Sequence, residues 1–127
     1  PEDNCLSIYK NHFTSLKIKY AYNLDEIVDY YNLYTDLMNH WKKVLPNFVY
    51  NISYENLVSN TRSEIKNILK FCDLEWHDSC LSFYKNTRPI KTASDTQVRK
   101  RIYKSSINTW LNYKDYLKDS FKKINII

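Results

Sequence analysis

The sequence predicts a mainly helical chain with one or two short strands, and three of its segments carry this prediction. Asn23–Leu45 predicts a long helix, because its apolar side chains recur every three or four residues. Thr61 followed by Glu64 forms a capping box, which predicts another helix up to about Cys72. The β-branched and aromatic run 48–53 (FVYNIS) predicts a strand.

The apolar stripe of the long helix is predicted to face the core, because a stripe at helical spacing packs far more often against a core than against a ligand. Asn23 and Glu26 form the start of this helix in the manner of a capping box, and Pro46 ends it. The stripe consists of Ile27, Tyr31, Tyr34, Met38, Trp41 and Leu45.

The remaining segments predict shorter elements. A helix is expected over Pro1–Leu16 from its apolar spacing, with Asp3 as its cap and Ser7 one turn further on. Another short helix is expected over Asp78–Tyr84. The segment 89–92 is a second candidate strand.

Composition limits the classes of fold and function. The 127 residues are the length of one domain, and 43% of them are hydrophobic, enough for a folded core. The chain has no glycine, which excludes Gly-rich phosphate loops and leaves left-handed turn positions to asparagine. No run of about 18 apolar residues is present, so no membrane span is predicted.

The three cysteines, Cys5, Cys72 and Cys80, are odd in number and not closely spaced. They therefore predict reduced thiols, with no zinc site, no other metal site and no disulfide framework. The lack of cysteine pairing favours a cytoplasmic location. The N-terminus has neither a signal pattern nor a methionine, so we expect a fragment of a longer chain.

Positive charge is concentrated between Arg88 and Lys104. Six basic residues and one acid, Asp95, give these seventeen residues a net charge of +5, which equals that of the whole chain. Hydroxyl side chains are interleaved with the cations. A phosphate or sulfate group requires cations, hydroxyls and loop amides of this kind. The alternative interpretation is a solvated basic loop without a ligand.

Three motifs then occur in a family-specific order. Residues 1–7 (PEDNCLS) match the end of the pattern Arg-x-Pro-x-Asp-x-x-x-Ser, and residues 54–58 (YENLV) match the segment YEDLV. Residues 92–99 (TASDTQVR), which end eleven residues before Trp110, match TAS…QVR…W. The chain thus resembles sulfotransferases that use 3′-phosphoadenosine 5′-phosphosulfate (PAPS), most closely the bacterial and tyrosylprotein-sulfotransferase-like ones. The resemblance spans residues 1–127 and implies one partial domain, the C-terminal half of a P-loop-like α/β sulfotransferase fold.

The resemblance implies roles for three hydroxyl-bearing residues. Ser7 matches the serine that holds the 3′-phosphate in the family. Tyr54 matches the tyrosine that approaches the nucleotide, and Ser94 matches a further serine that contacts the cofactor. After transfer of the sulfuryl group, the cofactor product that these residues hold would be adenosine 3′,5′-bisphosphate.

The family's Arg-Lys-Gly phosphate loop also precedes a tryptophan. Counting back from Trp110 places Lys104 at the lysine of that loop and Tyr103 at its arginine. Arg99, or the neighbouring Lys100 and Arg101, is therefore a candidate to replace the arginine. Trp110 itself is expected to act as a packing anchor.

The resemblance assigns no catalytic residue to this chain. The arginine of the first motif would lie two residues before Pro1, and the family's 5′-phosphosulfate loop and general base lie in a missing N-terminal half. His12, His40 and His77 do not match that base. The full chain is expected to transfer a sulfuryl group from PAPS to an acceptor hydroxyl of unknown class, and the 127 residues alone are expected to be inactive.

Two other functions compete with this one. A basic helical nucleic-acid-binding module would use the cluster Arg99–Lys104 and nearby aromatics to follow phosphates. A purely structural helical domain would bind no nucleotide at all.

Overall fold

The computed structural model describes residues 1–89 and 96–125. This part of the chain contains five α-helices and three short 3₁₀-helices. The α-helices are α1 (Glu2–Lys10), α2 (Leu24–Val44), α3 (Tyr54–Ser59), α4 (Thr61–Phe71) and α5 (Lys114–Phe121). The 3₁₀-helices are Leu16–Tyr22, Asp78–Lys85 and Thr109–Tyr113.

The chain divides into two compact units. The first unit consists of Pro1–Val49 and Ser106–Ile127, and the second unit is Tyr50–Ser105. Ser7 belongs to the first unit, whereas Tyr54, Arg99 and Lys104 belong to the second. The single domain that chain length predicts stays a prediction.

The long helix α2 starts and ends where the sequence predicts, within one residue. The Asn23 side chain accepts hydrogen bonds from the amides of Asp25 (3.0 Å) and Glu26 (3.3 Å), so two free donors of the first turn are satisfied. Leu45 caps the other end, directly before Pro46, which cannot continue the helix.

The core of the first unit lies between α1, α2 and α5. Its buried cluster consists of Cys5, Leu6, Ile27, Val28, Leu117 and Phe121. Trp110 packs against this cluster, with its ring centroid 5.9 Å from that of Phe121, as its predicted anchoring role requires. The side-chain amide of Asn32 in α2 binds the residues after α5. It donates to the carbonyl of Lys123 (2.8 Å) and accepts from the backbone amide of Asn125 (2.8 Å).

The second unit is built on the adjoining helices α3 and α4. Ser53 caps α3 by accepting a hydrogen bond from the amide of Asn56 at 3.1 Å. The helix α4 begins at Thr61 and packs against the 3₁₀-helix Asp78–Lys85, but the capping box predicted there is wrong. Its N-cap is Asn60 without a side-chain hydrogen bond, and the Thr61 hydroxyl donates to the carbonyl of Val58 at 3.5 Å. Val58 of α3 is the one buried apolar side chain among the described residues of the second unit.

The mainly helical prediction is confirmed, but the strand predicted at 48–53 is wrong. This segment contains bends and irregular backbone. Asn47 has a φ of 66°, and the amide of Phe48 donates back to the carbonyl of Leu45 at 3.2 Å. The backbone is therefore turning where the strand was expected to start, and no strand occurs in residues 1–89 or 96–125. Within the second candidate strand, Pro89 is irregular and 90–92 lie outside the described residues.

Two further predictions concern turns and helix ends. The helix predicted over Pro1–Leu16 ends at Lys10, where the side-chain amide of Asn11 donates to the carbonyl of Ser7 at 2.8 Å. Asparagine does occupy left-handed positions, with a φ of 66° at Asn47 and 60° at Asn108, which confirms that expectation.

Candidate anion-binding site

The face of α1 that carries Ser7 lies along the 3₁₀-helix Thr109–Tyr113. Asp3, Ser7 and Lys10 are spaced by four and three residues, so they share one helix face. Asp3 contacts the start of the 3₁₀-helix, and the Lys10 ammonium lies 5.8 Å from the ring centroid of Tyr113 near its end. Ser7 is exposed between these two contacts. Within the described part of the chain its hydroxyl has no hydrogen-bond partner, which leaves it available to a ligand.

Ser7 does not sit at the amide-rich end of α1. The free amides of an α-helix belong to its first turn, which here contains the acids Glu2 and Asp3. These carboxylates already complement the positive end of the helix dipole. A phosphate at Ser7 would therefore depend on the hydroxyl and on cations such as Lys10.

Asp3 has a role that the sequence did not reveal. The prediction that it caps its own helix is wrong, since the N-cap of α1 is Pro1 without a side-chain bond. The Asp3 carboxylate instead accepts hydrogen bonds from the amide of Asn108 (2.6 Å), the hydroxyl of Thr109 (2.8 Å) and the amide of Trp110 (2.8 Å). It thereby caps the 3₁₀-helix that starts more than 100 residues later and fixes Trp110 beside α1.

In the second unit, Tyr54 lies next to the residue before Lys104. Tyr54 is the first residue of α3, and its hydroxyl donates to the backbone carbonyl of Tyr103 at 3.2 Å. Burial raises the pKa of the Tyr54 hydroxyl, with smaller contributions from Tyr103 and Glu55, so it stays protonated as a donor. The structure thus brings two predicted site residues, Tyr54 and Lys104, into one neighbourhood.

The basic cluster Arg99–Lys104 contains two arginines, and both have partners within the second unit. The Arg99 guanidinium donates to the backbone carbonyl of Arg88. The Arg101 guanidinium lies 5.3 Å from the ring centroid of Tyr84. Because a guanidinium has five N–H donors, Arg99 retains donors for an anion after this one bond.

The two lysines of the cluster present their charge to solvent. Lys100 and Lys104 are exposed, and no hydrogen bond or ion pair engages the ammonium group of either within residues 1–89 and 96–125. An ammonium without an anionic partner is the kind of group that a phosphate attracts. The predicted contact at Ser94, with Thr92 and Ala93 of the same motif, lies outside the described residues.

A separate concavity of about 360 Å³ lies at the end of α4, lined by Trp76 and six neighbours. The Trp76 ring is approached by the guanidinium of Arg62 (5.1 Å) and the ammonium of Lys66 (5.7 Å). The lining combines Lys66 and Lys70 with Asp73 and Glu75, so its charges offset one another. This concavity fits an anionic ligand less well than the lysines of the basic cluster do.

Each unit by itself therefore carries groups that suit an anion: the exposed Ser7 hydroxyl in the first, and the exposed Lys100 and Lys104 ammonium groups in the second. A sequence model described as "Sulfotransferase family" matches residues 1–78, which include Ser7 and Tyr54. The chain belongs to the sulfotransferase family. This confirms the sulfotransferase family that the motifs predict.

The chain is also similar to one part of a longer protein. An uncharacterized protein from Aquifex aeolicus (strain VF5) is 36% identical over 131 residues, an alignment that covers 96% of this chain and 17% of that protein. The chain therefore spans about a sixth of the length of that relative. No solved structure matches.

Two further features, a membrane-spanning helix and a metal cluster, are both absent from the described residues. None of the helices there combines the length and apolar character needed to cross a bilayer. No group of three or more His, Cys, Asp or Glu side chains in those ranges is placed to hold a metal ion.

Proposed function

We propose that this chain forms the 3′-phosphate and adenosine side of a PAPS site in a sulfotransferase. The observation that carries the proposal is the hydrogen bond from Tyr54 to the carbonyl of Tyr103. It joins a residue in the family-matched region 1–78 to the basic cluster beyond it, beside the unengaged Lys104. Cofactor binding is assigned to Ser7, Tyr54, Ser94, Arg99 and Lys104.

The donor set of these residues fits a nucleotide with two phosphates. Lys104 and Arg99 supply positive charge, and Ser7 and Ser94 supply hydroxyls, which are the groups that phosphate oxygens accept from. Tyr54 offers an aromatic ring beside the cations for the nucleoside. The net charge of +5 within 88–104 also attracts an anionic ligand over a longer range.

PAPS, when bound, supplies the sulfuryl group that passes to an acceptor hydroxyl. The residues of this chain would hold the 3′-phosphate and so fix the position of the nucleotide relative to the acceptor, which is a contribution through orientation and charge. None of them is assigned as a general base. We therefore infer that the 127 residues alone do not catalyse sulfuryl transfer, and that the remainder of the site lies elsewhere in the full chain.

Adenosine 3′,5′-bisphosphate and adenosine 5′-monophosphate, which differ by the 3′-phosphate, provide the test. We expect a calorimetric titration to show tighter binding of the bisphosphate. Lys104→Ala should weaken it about tenfold, the usual loss for a charge-assisted hydrogen bond, and Ser7→Ala and Tyr54→Phe should weaken it less.

The control variant is Lys100→Ala, which removes the same charge from a neighbouring exposed position. If Lys100→Ala and Lys104→Ala weaken binding equally, a diffuse basic field binds the nucleotide, and the assigned role of Lys104 is wrong. Equal binding of both nucleotides contradicts the 3′-phosphate site. Binding of single-stranded DNA with a steep salt dependence, but of neither nucleotide, supports the nucleic-acid-binding alternative.

A further inference from the structure

The helix α2 has two apolar faces, and the core of the first unit covers one of them. Ile27, Val28 and Thr35 are buried on the covered face. Three residues of the predicted core stripe, Tyr34 (46%), Trp41 (39%) and Leu45 (43%), remain exposed, so the prediction that the stripe faces the core is wrong for its C-terminal part.

The second apolar face consists of Tyr30, Leu33, Leu37, Trp41 and Val44. At about 100° per residue these five positions fall within roughly 80° of one another around the helix axis. All five side chains are exposed, between 39% and 66%. Soluble monomers rarely expose a contiguous apolar patch above a few hundred Å², so this stripe has the character of an interface.

The spacing of this second face is a palindrome. Counting from Tyr30 to Val44, the steps between its residues are three, four, four and three, with Leu37 at the centre. Two identical helices packed antiparallel with Leu37 on the twofold axis would bring Tyr30 of one copy against Val44 of the other. Leu33 of each copy would likewise lie against Trp41 of the other, so this pair occurs twice in the dimer. A twofold interface requires a surface that is complementary to itself, and this spacing provides one.

Charge along one border of the second face favours the same antiparallel arrangement. By the same angular count Asp29, Asp36, His40 and Lys43 lie along one edge of this face, with the acids toward the N-terminal end and the bases toward the C-terminal end. In the antiparallel pair, Asp29 approaches Lys43 of the second copy, and Asp36 approaches His40. In a parallel pair this edge would lie beside the opposite edge of the second copy, so Asp29 would not meet Lys43.

We propose that the second apolar face of α2 is the self-association surface of this chain, and that two copies dimerise there with their α2 helices antiparallel. The palindromic spacing and the reversed charges identify a second copy as the occupant. Coverage by the second unit of the same chain, or by a segment of a longer protein, are the competing outcomes.

Sedimentation equilibrium of the 127-residue chain between about 1 and 300 μM tests this proposal, because a dimer is populated by mass action. We expect the mass to rise from 15.4 kDa toward twice that value. Leu37→Glu should keep the chain monomeric, because it places two like charges together at the twofold axis. The matched control is Asn39→Glu, which adds the same charge to an exposed position on the polar face of α2 and should leave the dimer intact.

Charge reversal tests the antiparallel register. Asp29→Lys should weaken dimerisation about threefold to tenfold, because each Lys43 then meets a like charge. Adding Lys43→Asp to the same chain should restore it, since the pairs are reversed but still opposite.

A chain that stays monomeric over the whole concentration range overturns the proposal. A dimer that survives Leu37→Glu places the interface elsewhere and also overturns the proposal. Circular dichroism of each variant establishes that α2 is still folded.

Discussion

The two units of the chain are stabilised by different interactions. In the first unit, three helices separated in sequence share one buried cluster that includes Ile27, Val28 and Phe121. In the second unit, among described residues, one apolar side chain, Val58, is buried, and polar contacts such as the Ser53 cap and the Tyr54–Tyr103 hydrogen bond join its segments. The hydrophobic effect therefore fixes the first unit, and polar contacts of smaller net value hold the second.

This difference bears on function, because three proposed ligand residues, Tyr54, Arg99 and Lys104, belong to the second unit. Segments with few buried apolar contacts open at low free-energy cost, and binding sites are commonly built from them. A ligand that bridges the cations of such a unit supplies the interactions that its small core lacks. We expect nucleotide binding to stabilise the second unit more than the first.

The largest expected effect separates the two cores. Ile27→Ala should lower the free energy of unfolding of the first unit by about 2 to 5 kcal/mol, because Ile27 is only 2% exposed and its truncation leaves a cavity in the core. Urea titration followed by circular dichroism measures the change, and hydrogen exchange of α2 assigns it to the unit.

Val58→Ala is the matched truncation in the second unit. We expect a loss of about 1 to 2 kcal/mol there, since fewer buried neighbours surround the smaller side chain. Equal losses at Ile27 and Val58 would show that the second unit has a core as effective as that of the first, which contradicts the comparison.

A smaller effect is expected from the carboxylate that joins α1 to the 3₁₀-helix Thr109–Tyr113. Asp3→Ala removes the acceptor of three hydrogen bonds from Asn108, Thr109 and Trp110, and should cost about 1 to 3 kcal/mol. Urea titration measures the loss, and a change in Trp110 fluorescence should accompany it. Glu2→Ala is the control, because it removes a carboxylate from the same turn. A loss at Glu2 as large as that at Asp3 would assign the effect to the helix dipole.

Asp3 also shows where sequence reasoning reached its limit. The bounds of α2 were predictable because their causes are local: Asn23 bonds to amides two and three residues on, and Pro46 stops the helix. Asp3 has the same local signature of a cap, but its partners lie more than 100 residues away, and no periodicity in the sequence records that pairing. The apolar run 48–53 failed as a strand for a related reason, since a strand requires a partner that the local pattern does not supply.

The candidate site was predictable to a similar extent. Motif order placed Ser7, Tyr54 and Lys104 as candidates, and the sulfotransferase family was identified correctly. The contact of Tyr54 with Tyr103 was not predictable, because it joins α3 to a loop 49 residues later. The partners of Arg99 and Arg101 are also distant in sequence, a carbonyl and an aromatic ring that charge patterning alone does not identify.

The smallest expected effect concerns the polar edge of the first unit. Hydrogen bonds from Ser120 and then Lys123 lower the pKa of the Asp25 carboxyl, and its Oδ1 lies 3.1 Å from the Lys123 ammonium. A carboxyl whose folded pKa is below its unfolded value near 3.8 stabilises the fold above about pH 4, and this stabilisation is lost as the pH falls through the folded pKa.

The thermal midpoint of the chain should therefore decrease when the pH is lowered below about 4, and Asp25→Asn should make that decrease shallower. Because the Asp25 side chain is exposed, the change should be slight and should shrink further in about 1 M salt, which screens such pairs. Asp115→Asn, at an exposed carboxyl of α5, is the control, and an acid limb that both variants flatten equally would mean that general charge repulsion, rather than the Asp25–Lys123 pair, sets the acid stability of the first unit.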